Sequence, residues 1–577
     1  MSRDRIITPC EVHDLIADGH IIVIYQDYVL KLDSWIEKHP GGSLAILHMV
    51  GRDATDEMDA YHRPPTLKTM KAFRIGLKPP GLWTNTTPPI RGGVYTKREP
   101  LVTPSVTISP VDDDNDVVVD DVSDSEISTL NDGASIISER SMLTSYTSES
   151  DSDSGDKAKP GLKVIRKTDA DASGEATKVF VGDKAAYTEW AMEQDIQRAI
   201  LNYPSVDPKV QEGIQKKYRE LHRKVYDQGL YDCPYLEYGK ELTRYSILFA
   251  AFFVALRFEW YMTSASFLGL FWHQIMFTAH DAGHRAITGN FEIDSLIGMF
   301  IADFCCGLSI GWWKSSHNVH HLITNHPEHD PDIQNTPLFA TCPSFFKSLR
   351  SSYYNFTFVW DKACEVLVPY QKYTYYPVMG LARFNLYILS WLHVLSSRSS
   401  GLGNSSAWWI RPTEVAFMSC YWYIFGYLLL WCTLPNWTIR VAFVLVSHII
   451  TMPLHVQITL SHWGMSTSDI GESESFPQRQ LRTTMDVDCP AWLDFIHGGL
   501  QFQSVHHLFP RAPRHNLRKI QKLVMEFCEE TSVPYTLLGF VDGNKHVISR
   551  LAEVGEQVGH LVNCQKYMAS TGESGLH

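Results

Sequence analysis

Apolar positions divide this chain into stretches of different kinds. Residues 5–80 mix short runs, and Tyr25-Gln26-Asp27-Tyr28-Val29-Leu30-Lys31-Leu32 reads as a two-stranded hairpin. Residues 81–180 are rich in Ser, Thr, Pro and Asp and read as a disordered acidic linker, because they cannot bury enough surface to offset ordering entropy. Residues 185–240 read as a cytosolic helical segment, 241–540 as a membrane domain, and 541–577 as a C-terminal tail. Within the membrane domain, Ser246–Met262, Ser264–Ala279, Thr413–Leu434 and Val441–Leu460 are apolar enough to predict about four transmembrane helices, in two tight hairpins. Leu296–Trp313 and Tyr376–Leu395 carry polar breaks and read as interfacial or core helices. The basic run Lys216-Lys217…Arg219…Arg223-Lys224 precedes the first span and predicts that both termini face the cytosol. No apolar leader follows Met1, so no cleavable signal peptide is expected.

Charge and composition sharpen this division. Residues 101–160 hold fourteen acidic and three basic side chains, and so carry eleven of the thirteen net negative charges. The remainder is close to neutral, which excludes a nucleic-acid partner bound through a basic surface. The eleven Cys are scattered without any C-x-x-C, which speaks against a disulfide framework or zinc ribbon and for a reducing compartment. The 25 His point to metal.

One histidine pair stands in the first stretch. His39-Pro40-Gly41-Gly42 is followed by Gly51-Arg52-Asp53-Ala54-Thr55 and then His62. Two helix–loop elements this far apart can present imidazoles from opposite walls of a cleft to one haem iron, with Leu32, Trp35 and Ile36 lining an apolar pocket. Asp53, Asp56, Glu57 and Asp59 cluster beside His62, where they would steer a basic partner. His48 reads as a solvent-facing residue.

Three further clusters flank the apolar spans: His280-Asp281-Ala282-Gly283-His284, His317-Asn318-Val319-His320-His321 and Gln503-Ser504-Val505-His506-His507. Residues three and four apart share a helix face, so each cluster aims its imidazoles at one point. So many nitrogen ligands exceed what one zinc takes and suit two iron ions with positions left for oxygen. His462, at the end of the fourth span, is a further candidate ligand. Gln503 is a candidate catalytic residue, its amide oxygen contacting iron or iron-bound water; the alternative is that it caps or packs a helix. His326, His329 and His515 lie off the box spacing and read as outer contacts or surface. His273, His448 and His455 recur at heptad spacing from box residues or His462 and read as buried, hydrogen-bonded residues, with a proton path as the alternative.

The first stretch, about residues 8–78 and ending in Phe73-Arg74-Ile75-Gly76, closely resembles cytochrome b5. The three boxes, with Gln opening the third, resemble those of membrane front-end desaturases, a family that fuses cytochrome b5 to a diiron domain. Within it, the His-Asp-Ala-Gly-His box, Leu500–Arg511 and Gln478–Asp488 look most like the fungal sphingolipid Δ8 desaturases. The long acidic linker departs from the shorter plant pattern.

The resemblance implies an N-terminal α+β cytochrome b5 domain plus a mainly-α membrane desaturase domain. It implies haem b on His39 and His62, two Fe ions on the boxes and O2 as co-substrate. The partners implied are an NADH-cytochrome b5 reductase, a ceramide or other sphingolipid substrate and membrane lipid. The endoplasmic-reticulum membrane is the place implied, with the boxes cytosolic. A Δ5/Δ6 front-end acyl-lipid desaturase, a lipid hydroxylase and a non-catalytic haem carrier remain as alternatives.

Overall fold

The computed structural model describes residues 3–97, 161–165, 177–181, 184–396 and 407–571. The acidic runs at Asp112–Asp114 and Ser148–Ser154 lie outside the described residues.

The N-terminal unit is built on a small antiparallel sheet. β1 (Ile22–Tyr25) and β2 (Tyr28–Lys31) form the expected hairpin, with Tyr25 opposite Tyr28 and Gln26 at φ 56° in the turn. β3 (Arg74–Leu77) pairs antiparallel to β2 on its other edge. Side chains alternate across a strand, so the sheet feeds two cores. Ile22, Ile24 and Val29 face α1 (Pro9–Ala17), whose Thr8–Glu11 capping box satisfies its first turn. Val23, Tyr25 and Leu30 face the other way, toward α2 (Ser43–Leu47) and α3 (Thr55–Tyr61). α4 (Pro64–Met70) follows His62 and leads back to β3.

The linker does not begin where composition placed it. Residues 81–97 are packed: the Trp83 indole donates to Gly51 O at 3.0 Å, and the Thr86 and Tyr95 hydroxyls lie 3.0 Å apart. Thr87 donates to Glu472 at 2.9 Å, and Arg91 pairs with Asp469. Two aromatic anchors and a set of pairings from far along the chain outweigh a polar local sequence. Beyond it, β4 (Gly161–Ile165) and β5 (Thr177–Val181) form an antiparallel pair.

The rest is mainly helical. α5 (Lys184–Asn202) and α6 (Pro208–Asp227) precede a hairpin of α7 (Tyr235–Arg257) and α8 (Tyr261–Gly283). α9 (Phe291–Met299) continues through a π-helical turn to Cys305, and α10 (Ile310–Leu322) follows a sharp bend. β6 (Leu349–Ser351) and β7 (Phe356–Phe358) make a small ribbon before α11 (Lys362–Leu367) and α12 (Gln371–Leu395). α13 (Ile410–Trp422) runs on to Thr433, then come α14 (Trp437–Ile449) and α15 (Met452–Leu460). α16 (Phe476–Thr483), α17 (Asp494–His497), α18 (Gln503–Leu508), α19 (Leu517–Thr531) and α20 (Phe540–Thr571) complete the helices. β8 (Asp486–Asp488) pairs parallel to β9 (Leu537–Gly539).

Among the described residues, three helical runs are long and apolar enough to cross a membrane: Lys362–Leu395, Ile410–Thr433 and Trp437–Leu460. Phe291–Cys305 with Ile310–Leu322, bent by 116°, makes a fourth if counted as one broken span. The total agrees with the expected number, but the membership differs. Tyr376–Leu395 and Leu296–Trp313, read from sequence as interfacial or core, fall inside these runs. α7 and α8 pair as the expected first hairpin. They do not meet the same composition, because α7 opens with Glu237, Lys240, Glu241 and Arg244, and α8 carries Ser264, Ser266, His273 and Gln274 within its apolar run. Tyr427, Leu428, Trp431, Ile388 and Leu392 on these runs are exposed, as apolar side chains that face lipid are. This is a membrane protein.

The segment read as a C-terminal tail is α20. Val547, Leu551, Val554 and Val558 are fully buried with Phe339, Tyr375 and Leu460. Apolar residues three and four apart at 547–558 form the stripe that buries this face. Leu551→Ala should therefore cost about 2–5 kcal/mol and lower the unfolding midpoint in detergent, as large-to-small core changes do. An unchanged midpoint would show that α20 is not part of the core.

Candidate haem and dinuclear metal sites

The pair in the N-terminal unit is set by the two short helices. His39 stands before α2 and His62 caps the end of α3. Each ring is oriented through Nδ1: His39 lies 2.9 Å from Gly42 O and His62 lies 3.0 Å from Met58 O. That arrangement makes Nδ1 the donor and turns both Nε2 atoms toward the cleft. The ring centroids are 6.0 Å apart. With roughly 2 Å from a metal to each nitrogen and about 1 Å more to each ring centre, one ion fits between them. Burial holds both imidazoles below their usual pKa, that of His62 at about 3, so both are neutral donors. The adjoining cavity of about 510 Å³ has apolar walls from Val23, Leu32, Trp35, Ile46 and Met49. The residues present fit a haem.

The three boxes converge in the other half of the chain. His280 and His284 end α8, His317, His320 and His321 lie on α10, and His506 and His507 lie on α18. Donor nitrogens of His280, His284, His317 and His506 lie within 4.8 Å of one another. Those of His320, His462 and His507 form a second such group. His321 stands between them: its Nε2 is 2.9 Å from that of His317, and its ring stacks on His507 at 4.1 Å. Gln503 is buried at the first position of α18.

These imidazoles fit metal on an observation independent of spacing. Nε2 of His280, His284, His506 and His507 and Nδ1 of His321 and His462 are buried without a hydrogen-bond partner among the described residues. Each such group costs about 1–3 kcal/mol unless something is bound. Burial, followed by the neighbouring imidazoles, pushes His462, His506 and His507 far below the ordinary pKa, which leaves their lone pairs free. Two all-nitrogen groups suit first-row transition metals such as iron.

Several supporting residues were not found from the sequence. His320 Nδ1 lies 2.8 Å from Asp330, and His507 Nδ1 lies 2.9 Å from Gln480 Oε1. Gln480 also donates to His321 O at 2.7 Å. Arg514 donates to Phe277 O at 3.0 Å and pairs with both Asp281 and Glu241, which ties the end of α8 to the chain after α18. Glu414 accepts from Ser309 Oγ at 2.8 Å and Gly311 N at 2.7 Å, so it fixes the start of α10. A carboxylate or amide beside a box is a weak signal, since it comes from elsewhere in the chain.

The remaining histidines are placed apart from the two groups. His515 pairs with Glu241 at 3.1 Å, and His329 contacts Ser352 at 2.9 Å. His448 stacks on Phe384 and contacts Val444 O at 2.8 Å. His273 and His455 are buried, each with Nε2 unpartnered among the described residues. His48 corrects the expectation of a solvent-facing ring: it is fully buried, with its ring 5.1 Å from that of His329.

That contact belongs to a broad junction between the two sites. Leu322 and Ile323 enter the apolar core beside Val23 and Ile46. The acids beside His62 meet arginines of this same chain: Asp56 with Arg219 at 2.7 Å and Glu57 with Arg479 at 3.1 Å. Arg511 donates to Ala60 O at 2.8 Å. The Tyr61 ring meets His321 edge-on, 6.2 Å between centroids.

Comparison with known proteins agrees with both halves. Residues 8–77 match the family "Cytochrome b5-like Heme/Steroid binding domain", and 259–539 match "Fatty acid desaturase". The chain is 45% identical, over 100% of its length and 99% of the relative's, to "Delta 8-(E)-sphingolipid desaturase" of Emericella nidulans. The protein of that name from Candida albicans is 44% identical, over 98% of both chains. The chain belongs to this family of cytochrome b5-fused desaturases. A more distant relative, "Acyl-lipid (9-3)-desaturase" of Borago officinalis, is 34% identical over 67% of this chain and 84% of its own. The chain is thus an oxidoreductase with a haem-type domain.

A residue that only orients a ligand gives a separable test. Gln480→Leu should lower iron retention by about 10- to 100-fold while the haem absorption stays unchanged. Iron per haem, measured after dialysis against a chelator, checks this; wild-type retention would show that Gln480 does not hold His507.

Proposed function

We propose that this protein introduces a trans Δ8 double bond into the long-chain base of sphingolipids. The observation that carries the reading is the pairing of two convergent imidazole groups with a two-histidine haem slot in one compact unit. The full-length relatives named for Δ8-(E)-sphingolipid desaturation supply the substrate, position and geometry. The acyl-lipid alternative has support only from more distant relatives.

The overall reaction removes two hydrogens from adjacent methylenes and reduces O2 to two waters, taking up two further electrons and two protons. Bound iron supplies the oxidising power for unactivated C–H bonds. The protein's part is placement. His280, His284, His317 and His506 would hold one ion and His320, His462 and His507 the other, with His321 between. Asp330 and Gln480 keep two of these rings in the tautomer that offers Nε2. Gln503 stands at the third box as an orienting amide. The surrounding burial keeps water out.

His39 and His62 would hold a haem b, which would supply one-electron chemistry suited to an NADH-cytochrome b5 reductase as donor. The protein sits in the endoplasmic-reticulum membrane with both termini and the boxes cytosolic, a placement supported by the basic run in α6.

Expression in yeast lacking Δ8-unsaturated sphingolipids tests the reading. Mass spectrometry of long-chain bases should show a new species lighter by two hydrogens, with a trans bond at C8. A product heavier by one oxygen would indicate hydroxylation, and desaturation confined to acyl lipids would overturn the substrate. His39→Ala should abolish both the low-spin haem spectrum and the product.

A further inference from the structure

The cavity between His39 and His62 has two unlike ends. The buried end is apolar, walled by Val23, Leu32, Trp35 and Ile46. The other end is more exposed and is lined by Arg63, Arg285 and Lys314. Only Arg63 comes from the N-terminal unit. Arg285 follows His284, and Lys314 lies one turn before His317.

The three cations are drawn together. The Arg285 guanidinium lies 4.7 Å from the centre of the Phe291 ring, and Lys314 Nζ lies 5.5 Å from the same point. The Arg63 guanidinium lies against Gly289, where a Cβ would be 1.6 Å from its Cζ. Gly289 has φ 71°, so glycine is required there twice over. Like charges do not gather without cause.

Resident acids offset them only through space, without a paired contact: Asp294 acts on Arg285 and Lys314, Glu292 on Arg285, and Glu414 on Lys314. Among the described residues, none of the three forms an ion pair or a hydrogen bond. The buried Asp294 carboxylate accepts from Thr288 N, Thr288 Oγ1 and Gly289 N rather than from any of the three cations. Glu57, which also lines the cavity, is paired with Arg479. Glu292 is exposed and forms no ion pair.

A planar apolar body with two carboxylates at one edge matches this gradient. We propose that Arg63, Arg285 and Lys314 bind the two propionates of the haem, so that the catalytic half completes the haem site of the N-terminal unit. The proposal rests on the haem reading given above. It adds an orientation: the propionate edge faces the boxes, and one of its partners is the residue after His284.

Haem loss from the full-length protein in detergent tests this, with excess apomyoglobin as the scavenger. The protein is loaded either with natural haem or with haem whose propionates are methyl esters. The double variant Arg285→Gln with Lys314→Met should lose natural haem about tenfold faster, the effect of about one charge-assisted hydrogen bond. Its loss of the ester haem should match the wild type. Arg285→Lys should retain natural haem nearly as the wild type does. Equal acceleration with both haems would mean general damage and would overturn the proposal. No acceleration with either would mean that the cations serve another anion, such as a lipid phosphate, and would also overturn it. A wild type with no low-spin haem absorption would instead sink the haem reading itself.

Discussion

Six imidazoles that each bury an unpartnered nitrogen are costly, and the architecture around them is arranged to bear that cost. A buried ring that is neither protonated nor hydrogen-bonded forfeits its hydration and gains nothing until metal arrives. Such a group keeps its place only if other interactions hold the backbone that carries it. Here those interactions are polar and buried as well. Arg514 bridges Asp281, Glu241 and Phe277 O at the end of α8, and Glu414 holds the start of α10. Removing one member of such a bridge leaves a partner charge buried and unpaired, which is worse than losing a surface pair. The site is held by a few high-stakes contacts that few substitutions could preserve.

The junction between the two halves follows a different logic. Acids grouped on the surface of an isolated small domain would serve to attract a basic partner. In this chain their partners are Arg219 on α6 and Arg479 on α16, and the pairs close over apolar contacts from Leu322 and Ile323. The pairing with Arg479 is itself largely buried, so it contributes specificity of docking as much as affinity. The packed strap at residues 81–97 adds Thr87, Asn85 and Arg91 to the same junction through Glu472 and Asp469.

Much of this was legible before any coordinates. The haem pair and the three boxes rest on spacing, which is local and survives folding, and His462 on its place at the end of an apolar span. The hairpin at Tyr25–Leu32 likewise depends on neighbours in sequence. What escaped the sequence depends on residues that meet only in the fold. Gln480 reaches His507 and Asp330 reaches His320, and neither carries a spacing rule. His48 looked exposed because its cover comes from a loop 281 residues away, at His329. Residues 81–97 looked like linker because Trp83 and Tyr95 are sparse among polar neighbours, although two aromatic anchors suffice against a Gly floor. The membership of the spans shifted for a related reason. A polar residue facing a helical interior, such as Arg383 stacked on Trp272, lowers hydropathy without making the helix interfacial.

α10 shows how tightly these demands are joined. Its first turn is capped by Ser309 and held by Glu414. Its middle supplies Lys314 to the cavity and His317, His320 and His321 to the two imidazole groups. Its last residue, Leu322, lies in the apolar core of the N-terminal unit. A helix of thirteen residues is about 20 Å long, so haem slot and metal groups are separated by no more than its own turns. His321 marks the meeting point, touching Tyr61 on one side and His317 and His507 on the other. Because side chains on one rigid helix move together, a shift that loosened the docking of the N-terminal unit would also displace the imidazoles. The geometry for electron delivery and the geometry for holding metal are therefore set by one element.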